Sequence, residues 1–197
     1  MMLTEEGVVT AADLPVAALR DHLRLATGFA GAGLQDGLLE GHLRAAIAVI
    51  EARTGKVLLA RRFRLVLDRW REACGQALPV APVSGIVSVV IGDLVGAEVT
   101  VDPGRYQLMP DGHRPRLMPV GAALPPVPEG GLVTIRFDAG FASGWAEVPA
   151  DLAQAVLLLA AEFYECRHDG GAADAGLPFG VQVLIERWRT VRVLGGR

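Results

Sequence analysis

The stretch V148-P-A-D-L-A-Q-A-V-L-L-L-A-A-E-F-Y-E-C-R167 predicts one long helix that is apolar on nearly every side. Pro149 is tolerated in a first helical turn, and Asp151 places its charge where the helix dipole favours an anion. Two apolar stripes follow at helical spacing: Leu152, Ala155, Val156, Leu159 and Phe163, then Leu157, Leu158, Ala161 and Tyr164. Such a helix is either buried in its own domain or shared between subunits.

The composition indicates a globular chain with more apolar surface than one subunit readily hides. Of its 197 residues 51% are hydrophobic, and the mean hydropathy is +0.36. The longest apolar run, from Ala155 to Ala161, is far shorter than the roughly 20 residues that cross a bilayer. The acidic N-terminus does not resemble a signal peptide, so we expect synthesis in the cytoplasm and no membrane partner. We assign the surplus apolar surface to subunit contacts.

No pattern for catalysis, a cofactor or a metal is recognisable. The three serines lie outside any nucleophile motif, and Glu162 with Glu165 is more typical of a solvated helix face than of an acid–base pair. Cys74 and Cys166 are interpreted as reduced packing residues. The histidines are scattered without ligand spacing: His22, His42, His113 and His168. We therefore expect no enzyme activity, no cofactor and no metal site.

The remaining periodicity predicts an α+β fold, with a helical core of about four helices and an inserted antiparallel β lobe. Helices are expected over 14–25, 35–54, 148–167 and 181–193, with Asp13 as the N-cap of the first. Strands are expected over 63–67, 86–91, 98–101, 106–109 and 132–138. A type II turn is expected at 102–105, and the Pro-rich segment 110–128 is read as loop.

We expect one structural domain made of three segments. Residues 1–77 supply the N-terminal helices and the first strand, residues 78–145 the β-rich lobe with its Pro-rich loop, and residues 146–197 the C-terminal helices and a docking tail.

Two arginine clusters stand out against a net charge of −3. The first surrounds the first strand and contains Arg61, Arg62, Arg64, Arg69 and Arg71, with Trp70 among them. The second is C-terminal and contains Arg187, Arg189, Arg192 and Arg197. Each is either a solvated face or a docking surface, because Arg and Trp dominate interface hot spots. Neither belongs to a recognisable nucleic-acid-reading module.

Seven stretches, in order, carry a resemblance over nearly the whole chain: A18-L-R-D-H-L-R24, L43-R-A-A-I-A-V-I-E-A-R-T-G55, L67-D-R-W70, L78-P-V-A-P-V-S-G-I-V-S-V-V90, R105-Y-Q-L108, F137-D-A-G-F141 and the 148–167 stretch. With the Arg-rich C-terminus they resemble the head–tail connector (adaptor) proteins of tailed bacteriophages and phage-derived gene transfer agents. The Pro-rich segment is not matched.

The resemblance implies a structural protein of the neck of a virion or gene transfer agent particle, made in a bacterial cytoplasm. It implies a ring of about twelve subunits beneath the portal protein, whose heterologous interfaces each join two different patches. The ring would bind a stopper or head-completion protein and continue the DNA channel without reading sequence. Whether the particle is a phage or a gene transfer agent is left open.

The resemblance places portal docking in the C-terminal segment, with these candidates: Arg187, Trp188, Arg189 and Arg192. The candidate subunit-interface residues combine the second helical stripe with the first arginine cluster: Leu157, Leu158, Ala161, Tyr164, Arg62 and Arg64. The alternatives are another neck or tail-completion subunit, a nucleic-acid-binding module, or an enzyme with an unrecognised pocket.

Overall fold

A computed structural model describes residues 1–25, 32–72, 74–166 and 176–189, with residues 32–34 described by their backbone alone. The helices are α1 (Val16–His22), α2 (Ala32–Thr54), α3 (Ala150–Glu165) and α4 (Phe179–Ile185). The strands are β1 (Met2–Glu5), β2 (Arg61–Leu67), β3 (Gln76–Ala77), β4 (Val83–Gly92), β5 (Glu98–Thr100), β6 (Tyr106–Met109), β7 (Arg116–Pro119) and β8 (Leu132–Ala139). The predicted α+β class, with four helices in the described ranges, is confirmed.

By its internal contacts the chain forms two units. The sheet unit comprises Met1–Val8 and Leu59–Ser143, and the helical unit comprises Val9–Leu58 and Gly144–Arg197. β1 and β2 thus group with the later strands, whereas the three predicted segments place them with the N-terminal helices. The reason is that β2 pairs along its whole length with β8, which lies about 70 residues further along the chain.

The five-stranded sheet of the sheet unit has the order β1-β2-β8-β4-β5, and every neighbouring pair is antiparallel. Alternate residues of β2 and β8 face each other on the inner face of the sheet, where all are at most 2% exposed: Phe63 with Phe137, Leu65 with Ile135, and Leu67 with Val133. The Phe63 and Phe137 rings stack with 5.7 Å between their centroids. Burying these apolar pairs is the main stabilisation of the sheet.

A second, three-stranded sheet has the order β3-β7-β6. Its strand β7 lies inside the Pro-rich segment 110–128, which the sequence analysis reads as loop, so that expectation is corrected for residues 116–119 alone. β7 is only four residues long, with Pro119 as its last residue, so that proline removes no donor from the middle of the strand. Leu117 of β7 is fully buried.

Two local predictions are also corrected. Gly104 does not adopt the positive φ that a type II turn requires. Instead Pro103–Arg105 forms a 3-10 turn, and the Asp102 carboxylate accepts the Gly104 N–H at 2.8 Å. Asp13 does not cap α1; it accepts hydrogen bonds from the Thr10 N–H and hydroxyl, while Pro15 occupies the N-cap of α1.

In the helical unit, α3 contacts α1, α2 and α4. The first predicted stripe of α3 is buried at Leu152, Ala155, Val156 and Leu159, and its last residue, Phe163, is half-buried. The predicted stripe of α2 is fully buried at Leu39, Leu43, Ala46 and Ile50. Gly55, at φ +69°, ends α2 as predicted. Among the described residues, no helix combines the length and the apolar character needed to span a membrane.

Gly140, directly after β8, provides a test of the sheet unit. Its φ is +142°, and a Cβ there would lie 2.4 Å from the Ala60 Cα, so any side chain must displace backbone. We expect Gly140→Ala to lower the free energy of unfolding by about 2 kcal/mol or more, measured by chemical denaturation. The control is Gly144→Ala, where a Cβ meets nothing within 4 Å. Equal midpoints for the two variants would contradict the close approach.

Candidate docking surfaces

The first part of the predicted C-terminal docking segment is folded as part of the helical unit. α4 is held by Val181 and Ile185, which are both buried, and one 3-10 turn, Glu186–Trp188, follows it. Three of the four candidate residues, Arg187, Trp188 and Arg189, lie in or directly after this turn. The fourth, Arg192, lies outside the described residues, as does Val191 of the predicted stripe.

Asp151, in the first turn of α3, gathers two of these residues around one carboxylate. The Trp188 Nε1–H and the Arg187 Nε–H both donate to Asp151 Oδ2, each at 2.7 Å. The Leu152 N–H donates to the other carboxylate oxygen at 3.0 Å. The Arg187 guanidinium also lies over the Trp188 ring, 4.5 Å from its centroid. The turn after α4 is therefore fixed to α3 by the residues we call the Asp151 cluster: Asp151, Arg187 and Trp188.

The charge of Asp151 is stabilised by these contacts. Burial alone would raise the pKa of the Asp151 carboxyl. The hydrogen bonds from Trp188, Leu152 and Arg187, together with the positive charge of Arg187, outweigh burial, so that the pKa of Asp151 is lowered. The carboxylate is thus ionised throughout the neutral range.

The remaining described candidate, Arg189, makes a different ion pair. Arg189 pairs with Glu186 at 3.3 Å, and both side chains are more than half exposed. Such a surface pair is worth less than about 1 kcal/mol, so a partner's carboxylate can replace Glu186 at little cost.

The second stripe of α3 is only partly available to a neighbour. Ala161 is buried within the helical unit, whereas Leu157, Leu158 and Tyr164 are half-buried. The Tyr164 ring packs edge-on against His42, with 6.1 Å between centroids. A Cβ at Gly180 would lie 3.8 Å from Leu158, so Leu158 lies against α4.

α4 carries an exposed apolar pair that the sequence analysis missed. Phe179 is 81% exposed and Val183 is 57% exposed. They are four residues apart and therefore share one face of the helix. The predicted stripe, centred on Val181, Leu184 and Ile185, is the buried side. The spacing of Phe179 and Val183 indicates a shared helix face, but the sequence alone does not tell which face of α4 packs against the rest of the helical unit.

Two members of the first arginine cluster, Arg62 and Arg64, lie on the outer face of the five-stranded sheet, where most charges are paired. Arg61 lies over the Phe63 ring, and Arg69 and Arg71 follow the strand. Arg62 makes two hydrogen bonds to Asp138, at 2.9 and 3.1 Å, and Arg136 contacts Glu6 at 3.3 Å. Arg64 lies opposite Arg136 across β2 and β8. Its Nε is buried without an acceptor, and in the described part of the chain its side chain has no hydrogen bond or ion pair.

Three solved structures resemble the whole chain. A chain in the neck of an empty gene transfer agent particle, computed with C6 symmetry, is 54% identical, with a TM-score of 0.91 and 100% of both chains covered. A chain of the native gene transfer agent virion is 55% identical, with a TM-score of 0.87, covering 100% of this chain and 99% of that one. A chain in the neck of the native particle, computed with C12 symmetry, is 51% identical, with a TM-score of 0.85 and full coverage of both.

The chain belongs to the neck proteins of gene transfer agents. No protein-family profile matches it, and no curated protein does. The connector family that the sequence resembles is confirmed, and this neck protein is a structural component of the particle neck.

The cysteines of this neck protein correct one expectation. Both cysteines are free thiols, but Cys74 is exposed and so is not a packing residue. Cys166 is half-buried, and its Sγ lies 3.4 Å from a Glu162 carboxylate oxygen. Over the ranges that the structure describes, no three His, Cys, Asp or Glu side chains converge on a metal position.

The Asp151 cluster makes a prediction about pH. Because the folded pKa is lowered, the stabilisation by Asp151 is present above the ordinary aspartate pKa of about 3.9 and is lost as the pH falls through the folded value. We expect Asp151→Ala to cost about 1–2 kcal/mol of unfolding free energy at pH 7, and the deficit to shrink towards pH 3. The control is Glu165→Ala, at the exposed end of α3. A deficit that does not change with pH would contradict the assignment.

Proposed function

We propose that this neck protein is a head–tail adaptor. About twelve copies form a ring that binds the portal protein on one side and a stopper or head-completion protein on the other, continuing the DNA channel. The observation that carries the proposal is identity of 51–55% over the full chain to chains of the gene transfer agent neck and virion, with neck structures computed in C6 and C12 symmetry. C12 symmetry favours twelve copies.

The distribution of exposed apolar side chains supports a ring. A closed ring needs two different complementary patches on every subunit, and large exposed apolar side chains mark such patches. The sheet unit exposes Leu94, Val95, Val99 and Leu132, and the helical unit exposes Leu38, Phe179 and Val183. An acidic net charge and the absence of a base-reading motif fit a channel that lets DNA pass without binding it specifically.

We assign portal docking to the exposed face of α4 and the turn after it. Phe179 and Val183 supply apolar contact area there, and Arg187 and Arg189 supply exposed guanidinium groups. The Asp151 cluster holds this surface in a fixed orientation, which lowers the entropy cost of docking. Arg192 remains a candidate contact.

The docking assignment is tested by placing a charge on α4. We expect Val183→Asp to reduce co-purification with portal protein at least about tenfold, because a carboxylate at the centre of an apolar contact is buried without a partner. Folding should be retained, since Val183 is exposed. The matched control is Val120→Asp, at a valine of the sheet unit that is 59% exposed against 57% for Val183. Equal portal binding by both variants would refute the assignment.

The function itself is tested by electron microscopy of the purified protein mixed with portal protein. We expect stacked rings, with the adaptor ring at one end of the portal. Complexes with a tail-side component but not with portal would favour another neck or tail-completion subunit. A salt-sensitive mobility shift on DNA alone, without rings, would favour a nucleic-acid-binding module.

A further inference from the structure

The five-stranded sheet ends in two different open edges. β1 forms one edge and β5 the other, and each is paired on one side only. Because all four junctions between them are antiparallel, β1 and β5 run in the same direction. They are also similar in length, with four residues in β1 and three in β5. An open edge presents unpaired N–H and C=O groups that can pair with another strand.

The apolar inner face of the sheet continues to both edges. One cross-strand row runs from Leu67 through Val133 and Ile91 to Val99. Ile91 is 8% exposed, whereas Val99, the next residue in the row, is 66% exposed. At the opposite edge Leu3, which pairs with Leu65, is half-buried. The apolar inner face is therefore exposed to solvent at β5 and only partly covered at β1.

The outer face carries opposite charges towards the two edges. By register Glu98 of β5 and Arg64 of β2 both lie on this face. Among the described residues, neither side chain has an ion pair, and Arg64 faces the like charge of Arg136. Between Arg64 and its edge lies only Thr4, a small exposed residue. An acid at one edge thus matches an unpaired base near the other.

We propose that the sheet continues from subunit to subunit, with β5 of one copy lying parallel to β1 of the next. In this arrangement Val99 packs against Leu3 of the neighbouring subunit and Thr100 lies beside its Thr4. Glu98 then reaches diagonally, two residues along the strands, to Arg64 of that subunit. The inference rests on the proposed ring, because joining two different edges gives a heterologous contact that repeats until it closes. Pairing of like edges, β5 with β5, stops at a dimer.

The arrangement has a characteristic dimension. Strands in a sheet are about 4.8 Å apart, so five strands per subunit give a repeat of about 24 Å between neighbouring sheet units. A ring of about twelve copies then has a circumference of about 290 Å at the sheet.

Site-specific cross-linking tests the junction. In a Cys74→Ser, Cys166→Ser background, Thr4→Cys and Thr100→Cys place one thiol on each exposed edge. We expect a short bis-maleimide, applied to rings assembled on portal protein, to link the double variant into a ladder extending beyond dimers. Each single variant should remain monomeric on the same denaturing gel.

The outcomes of this experiment distinguish a failure of the proposed β5–β1 junction from a failure of the proposed ring. Intact rings in the micrographs without a ladder would overturn the junction and leave the adaptor function standing. Dimers from Thr100→Cys alone would overturn it in favour of like-edge pairing. Absence of rings on portal would overturn both proposals.

A charge swap tests the ionic part of the same contact. We expect Arg64→Glu and Glu98→Arg each to reduce ring formation by about fivefold or more, because each places like charges together. The combined variant should restore most of the loss, and this recovery also shows that the altered chains fold. Arg64→Gln, which removes charge without reversing it, should have a smaller effect. No recovery in the combined variant would overturn the Glu98–Arg64 pairing.

Discussion

The sheet unit depends on the pairing of β8 with strands on both of its sides. Phe137 and Ile135 of β8 lie opposite Phe63 and Leu65 of β2, and the other side of β8 pairs with β4. The apolar face of β8 is fully buried at Val133, Ile135 and Phe137. This face is continuous with those of β2 and β4 only when all three strands are in register. This pairing also determines the charged outer face. Side chains alternate along a strand, so the residues on either side of each buried residue of β2 or β8 point to the outer face.

Much of the fold could be predicted from local periodicity. The apolar stripes of α2 and α3 and the alternation in β8 recur every 3.6 or 2 residues, so sequence alone indicates which residues are buried. Partners distant in sequence could not be predicted. Nothing in the first 77 residues indicates that β1 and β2 group with strands after residue 78, since that depends on pairing over a long separation. β7 was missed because four residues between prolines carry no periodicity.

The candidate docking surfaces, too, could be predicted from the sequence only in part. The second stripe of α3 and the C-terminal arginines were recognisable from residue type, but their environment was not. Arg187 and Trp188 are bound by Asp151, which lies 36 and 37 residues earlier in the chain, a contact that no spacing rule predicts. Conversely, Phe179 and Val183 are exposed because the opposite side of α4 packs on its own unit. For an assembling protein, the informative residues are apolar or charged side chains that the monomer leaves without contacts, and only coordinates reveal them.

The strand order of the sheet has a consequence for biosynthesis. β1 is the first element to leave the ribosome, yet its partner β2 begins only at residue 61. β8, which lies between β2 and β4 in the sheet, begins at residue 132. No three adjacent strands of this sheet can form until two thirds of the polypeptide has been translated, whereas the turns of α2 close locally. Contacts of such long separation fold slowly. The nascent chain therefore keeps its strand edges unpaired for most of translation, and assembly into a larger particle has to wait until the last strand has joined.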